Sequence, residues 1–265
     1  MLQAGTYLSP AAIGLLATVG REEVSVYRRP SVAILVTGDE LVEVGEKPVG
    51  GQIRNSNAYA LYHQVRQTGC EARLLGVARD NVADLTGKIA AGLQEDVLLV
   101  SGGVSMGDLD LVEDVFAEQG VDVFFDKVAI KPGKPTVFGR RGGTLVFGLP
   151  GNPVSASTVF EIFVRPALRK LMGFASVQPL LLEAELRGTL KSKTRRTYYA
   201  PARAYVKDGR LFAEALPSKG SADVLAFARS NAYAIVPSEV DELYPGQSVT
   251  VFLRQEFFTT SSHSL

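Results

Sequence analysis

The chain has 265 residues, 46% of them apolar, and 28 Lys+Arg balance 28 Asp+Glu. That is enough for two modest cores, and the balance leaves no global field to attract nucleic acid or an acidic membrane. The single cysteine, Cys70, excludes an internal disulfide and suits a reducing cytoplasm; only His63 and His263 are present, and no run nears the ~20 apolar residues of a membrane span. A metal, if present, is then a hard cation on carboxylates.

Leu8 to Val19 reads as a short helix, with Ser9 as N-cap, Pro10 at the first helical position and Gly20 closing it. Val32 to Val36 reads as a buried strand ending in Thr37-Gly38-Asp39-Glu40, and Val44 to Gly51 as a Gly/Pro-rich loop. Asn55 to Thr68 follows as a helix stopped by Gly69. Ala72 to Val77 reads as a third buried strand ending in Arg79-Asp80, and Val82 to Leu93 as another helix.

The organising stretch is Asp96 to Asp110. Val97 to Val100 is an unbroken apolar strand, Ser101-Gly102-Gly103 turns sharply, and Leu109 to Gln119 is an amphipathic helix. A strand, a Gly-rich turn and a helix N-terminus form a common cradle for an anion in α/β proteins. In an open parallel sheet all the strand carboxyl ends face one crevice, so Asp39, Glu40, Asp80 and the Gly102-Gly103-Ser105 turn are expected to converge there.

Val121 to Ile130 reads as one strand, which puts Lys127 and Lys131 on the same face. Lys131-Pro132-Gly133-Lys134-Pro135 is a stiff turn that aims two ammonium groups at one oxyanion. Thr136 to Phe138 and Thr144 to Phe147 are short strands. Gly151-Asn152-Pro153-Val154-Ser155 then leads into a long helix to Met172, a second candidate anion cradle. Beyond Gly173 the pattern becomes β: Leu180–Leu190, Tyr198–Val206, Leu211–Ala215, Ala232–Val236 and Ser248–Leu253, with Asp208-Gly209 as a hairpin turn and one short helix near Ser221 to Phe227. Lys191, Lys193, Arg195 and Arg196 form the basic cluster of this part.

The expected fold is therefore α/β, a doubly wound, mostly parallel sheet, with a second, smaller all-β domain. Residues 1–28 are expected to be a linker helix and lead-in, 29–176 the α/β domain, 177–257 a small β-barrel and 258–265 a disordered tail.

Four motifs, TGDEL at Thr37–Leu41, SGGVSMGDLD at Ser101–Asp110, IKPGKP at Ile130–Pro135 and LPGNPVS at Leu149–Ser155, occur in that order. Together they resemble the molybdopterin molybdenumtransferases of the MoeA and gephyrin E-domain type. GTYLSPAAIGLLATVG near the start is similar to that family's linker into its molybdopterin-binding domain. The resemblance implies an enzyme of molybdenum cofactor biosynthesis that takes adenylated molybdopterin and molybdate as substrates and uses Mg²⁺. It implies Lys131 and Lys134 on the oxyanion, with Ser155, Arg195 and Ser221 completing that pocket alongside Lys127, Gly133, Pro135, Gly151 and Asn152. Gly102, Gly103 and Ser105 would cradle the pterin phosphate side, and Glu40, Asp80 and Asp110 would hold Mg²⁺ and position water. It also implies a homodimer, and contact with the molybdopterin adenylyltransferase that supplies substrate.

The resemblance covers the C-terminal part of such proteins. Two further domains that members carry before the segment matching Gly5 have no counterpart in these residues, which weighs on turnover more than on binding. The alternative is a non-catalytic molybdopterin-binding module or scaffold. A weaker third reading, a nucleotide-processing domain of the competence-damage type, is opposed by the LPGNP and IKPGKP pair and by the β domain.

Overall fold

The computed structural model describes residues 2–103, 109–218 and 220–254, and of residues 109 and 110 the backbone alone. The expected tail at 258–265 lies outside the described residues. In chain order the first half runs α1 (Pro10–Thr18), β1 (Ser31–Thr37), β2 (Leu41–Val42), β3 (Ile53–Arg54), α2 (Asn57–Gln67), β4 (Glu71–Ala78), α3 (Val82–Gly92), β5 (Val97–Ser101) and α4 (Leu109–Glu118). The middle runs β6 (Asp122–Lys127), β7 (Ile130–Lys131), β8 (Pro135–Arg141), β9 (Thr144–Leu149) and α5 (Pro153–Val159), which passes through a π-helical turn (Phe160–Val164) into α6 (Arg165–Leu171). The last part comprises β10 (Leu181–Arg187), β11 (Leu190–Lys191), β12 (Thr197–Lys207), β13 (Arg210–Ala215), α7 (Val224–Ala228), β14 (Ala232–Val236), β15 (Glu242–Leu243) and β16 (Ser248–Leu253).

The larger sheet has the order β4-β1-β5-β9-β8-β6. β4, β1, β5 and β9 are parallel, and β8 and β6 extend them antiparallel. β1 and β5 lie inside the sheet with both faces covered, which explains their unbroken apolar runs. On one face α2, α5 and α6 bury Leu61, Val65, Val159, Phe160 and Leu168. On the other, α3 and α4 bury Leu85, Ile89, Val112, Val115 and Phe116. β4, expected to be buried, is the sheet edge, and only its last residue, Ala78, is buried.

The second sheet runs β13-β10-β16-β14-β12 and closes through β12–β13 pairing, so it is barrel-like. Its core is built from small residues such as Ala200, Ala202, Ala213, Ala232 and Ala234, together with Val249 and Val251. Asp208 and Gly209 both take positive φ in the tight turn between β12 and β13. α7 makes this part β-rich rather than wholly β.

The run expected as one strand from Val121 to Ile130 is two. β6 pairs with β8 in the larger sheet, and β7 pairs in parallel with β12 of the barrel. The chain changes sheets at Val128 and Ala129, where the Thr197 N–H donates to the Ala129 carbonyl at 3.2 Å. This crossing places the Lys131–Pro135 turn between the two bodies.

Candidate functional site

The carboxyl ends of β1, β5 and β9 lie side by side, and each opens into a turn. The turns pack closely. The Gly102 N–H donates to the Leu149 carbonyl at 3.2 Å. A Cβ on Gly102 would lie 2.3 Å from the Thr37 carbonyl oxygen, and the residue's φ is +104°, so glycine is required there. Asn57, at the start of α2, ties two of the turns together. Its Nδ2 donates to Ser101 Oγ at 3.0 Å and to the Gly151 carbonyl at 2.7 Å, and Ser101 Oγ donates to the Pro150 carbonyl at 3.2 Å. At the start of α5 the Val154 N–H donates to the Ser221 carbonyl at 3.1 Å, joining the second turn to the barrel side.

Between these turns and the barrel lies a cleft of about 900 Å³, the size of an ordinary small-molecule site. Gly102, Gly103, Gly151, Asn152 and Ser155 line it from the α/β side, Lys131, Gly133, Lys134 and Pro135 from the connecting turn, and Arg196, Tyr198 and Ser221 from the barrel side. Arg54 and Glu40 complete its charged lining. Four cationic side chains, Arg54, Lys131, Lys134 and Arg196, thus face one carboxylate, Glu40, among the described lining residues. No carboxylate among the described residues pairs with Lys131 or Lys134. Lys131 Nζ lies 4.7 Å from the centroid of the Tyr198 ring, and burial pushes the Tyr198 phenol above its ordinary pKa, so it stays neutral. An excess of unpaired positive charge in a concave site with Gly-rich turns favours a polyanion.

Several expected residues sit elsewhere. Lys127 does not line the cleft; its ammonium pairs with Asp126 at 2.8 Å. The reason is the change of sheet after β6, which breaks the alternation that would have carried it to the face of Lys131. Arg195 is exposed, takes φ +46°, and does not line the cleft; its neighbour Arg196 does, and donates to the Ile130 carbonyl at 3.2 Å. Asp80 follows the edge strand β4 rather than a central one. It exchanges hydrogen bonds with Asp39, whose N–H donates to Asp80 Oδ2 at 3.1 Å, and it does not line the cleft. Ser105 and the side chain of Asp110 lie outside the described residues. Among the described residues no three acidic, His or Cys side chains gather as a metal site. Glu40 and Asp80 therefore do not by themselves make a home for Mg²⁺.

Sequence reasoning had passed over Arg54, Asn57, Arg196 and Tyr198. Arg196 stood in the basic cluster that the sequence displays, but only the left-handed backbone of Arg195 separates the two neighbours. Tyr198 gave no signal, because only the β7–β12 register brings it beside Lys131.

Residues 33–170 match the family described as "Probable molybdopterin binding domain", and residues 183–253 match "MoeA C-terminal region (domain IV)". The chain is 36% identical over 257 residues to the molybdopterin molybdenumtransferase of Nostoc sp., covering 95% of this chain and 59% of that protein. It is also 36% identical over 254 residues to the enzyme of the same name from Haemophilus influenzae, covering 95% of this chain and 63% of the relative. The chain thus spans about three fifths of these relatives. The crystal structure of the molybdopterin biosynthesis moea protein from Pyrococcus horikosii superposes with a TM-score of 0.81 at 33% identity, over 95% of this chain and 61% of that one.

Proposed function

The chain belongs to the molybdopterin molybdenumtransferase family, and we infer from its cleft that it binds an anionic molybdopterin and delivers molybdenum to it from molybdate. One observation carries this reading: among the described residues four cations line the cleft with a single carboxylate, and neither Lys131 nor Lys134 has a carboxylate partner.

In this reading Lys131, Lys134 and Arg196 hold the oxyanion, and Ser155 and Ser221 offer hydroxyls beside it. Gly102 and Gly103, with Gly151 and Asn152, receive the phosphate side of the pterin through their backbone. The described residues of 29–176 form a doubly wound pterin-binding half, and those of 177–257 supply the opposite wall. The substrate is the adenylated pterin, and AMP is the product that leaves. The divalent ion enters as a proposed requirement for cleaving the adenylate. Glu40 is its candidate ligand from the cleft, and the described residues alone do not complete its site. A cytoplasmic homodimer that receives its substrate from an adenylyltransferase fits the same reading.

The test mixes the purified chain with adenylated molybdopterin, molybdate and MgCl₂ and follows AMP. Release is expected, with a loss of about tenfold or more in Lys131→Ala, the scale of one charge-assisted contact. EDTA is expected to stop release and MgCl₂ to restore it. Pterin binding without AMP release would instead favour the second reading, a non-catalytic binding module. The position of Asp80 outside the cleft is the observation on that side.

A further inference from the structure

We propose that Tyr198 is a positioning residue that holds the Lys131 ammonium in the cleft without cancelling its charge. The proposal rests on the reading of Lys131 as an oxyanion ligand and adds a residue that reading does not contain.

A lysine head on a four-carbon stem is mobile, and ordering it opposes binding. A carboxylate partner would order it but would also neutralise it, and would compete with the oxyanion. An aromatic face avoids this. The negative face of the ring attracts the cation, while the ring carries no net charge to set against the ligand. The arrangement in this protein meets that description. Lys131 Nζ stands 4.7 Å from the Tyr198 ring centroid. Both side chains line the cleft, and both are partly buried. The placement is set by the backbone, because Tyr198 and Lys131 are register partners where β7 pairs with β12. Burial raises the Tyr198 phenol above an ordinary value that already leaves it uncharged at neutral pH. Lys134, three residues on, is exposed. Lys131 is thus the preorganised cation of the pair.

The experiment uses the full chain and two readouts. The first is binding of molybdate alone by calorimetry. Tyr198→Leu is expected to weaken it about three- to tenfold, the range of a partly desolvated cation–π contact. Tyr198→Phe, which keeps the ring, is expected to recover most of that loss. The second readout is the proton shift of the Lys131 ε-methylene, identified by its disappearance in Lys131→Arg. It is expected upfield in the parent and in Tyr198→Phe, and at the ordinary position in Tyr198→Leu.

An ordinary shift in the parent overturns the proposal without need of any Tyr198 variant, so a leucine variant that fails to fold does not protect it. Equal molybdate affinity in parent and Tyr198→Leu also overturns it, provided Lys131→Ala weakens binding. If Lys131→Ala binds molybdate as the parent does, the oxyanion reading fails. The ring-current shift then still decides whether Tyr198 places the ammonium.

Discussion

Replacing Arg196 by alanine should cost the cleft its barrel-side cation, whereas replacing Arg195 by glycine should cost it nothing. Arg196 lines the cleft and anchors its guanidinium on the Ile130 carbonyl at 3.2 Å, beside Lys131. A hydrogen bond from a charged donor contributes about 1.5–3 kcal/mol, and Arg196 is only partly buried, so the lower end applies. That corresponds to about a tenfold loss of molybdate affinity. Arg195 is exposed and takes φ +46°. A side chain in that region costs about 1–2 kcal/mol, which glycine relieves, while glycine's greater freedom in the unfolded chain offsets about 0.5–1 kcal/mol of that gain. Arg195→Gly should therefore be neutral to slightly stabilising. Titration of both variants with molybdate, alongside thermal melts, checks the pair. An Arg195→Gly variant that loses as much affinity as Arg196→Ala would refute the assignment of the wall, and with it the β7–β12 register that sets it.

Three further outcomes follow from particular contacts. Gly102→Ala forces a Cβ to within 2.3 Å of the Thr37 carbonyl oxygen at φ +104°; that oxygen is backbone and cannot swing aside, so the cost is about 2–5 kcal/mol, read as a clear fall in Tm. The Arg28 guanidinium, and then the Ser31 N–H, hold the Asp96 carboxyl down at about 2 from its ordinary 3.8. The folded value lies below the unfolded one, so this stabilisation is fully present above about pH 4 and is lost as pH falls through about 2; the Tm gap between parent and Arg28→Ala should close over that window. Burial pushes the Cys70 thiol up to about 11, so a disulfide reagent at pH 8 should leave the native protein unlabelled and label it once unfolded.

The larger sheet was legible where burial on both faces leaves no choice of residue. Val32 to Leu35 and Val97 to Val100 are unbroken apolar runs because their side chains alternate between one core and the other. The Asp208-Gly209 turn was legible because it needs positive φ at both positions. The break between β6 and β7 was not. Val128 and Ile130 pack on the same core as the α2 and α5 helices, so the run stays apolar across a change of sheet. Periodicity reports burial and not which neighbour provides it. The π-helical turn after α5 was equally silent, since Glu161 and Arg165 there keep ordinary helical spacing.

The site divides along the same line. Glycine and proline turns declare themselves, because few other residues tolerate those backbones, and Gly102, Gly133 and Gly151 all reach the cleft. Charged residues do not declare their direction. Asp80 follows a strand as Glu40 does, yet β4 is an edge strand and its end lies off the cleft. The two lysines show what the topology adds. Lys131 belongs to the barrel sheet through β7, while Lys134 immediately precedes β8 of the larger sheet. A single proline turn therefore presents cations held by two different bodies. Those bodies cannot separate without breaking the β7–β12 pairing and the Val154 hydrogen bond to Ser221. Charge placed in this way is fixed by the contact between the two sheets and not by either sheet alone. For that reason the oxyanion wall is best perturbed from the barrel side, at Arg196 and Tyr198, where the turn itself is left intact.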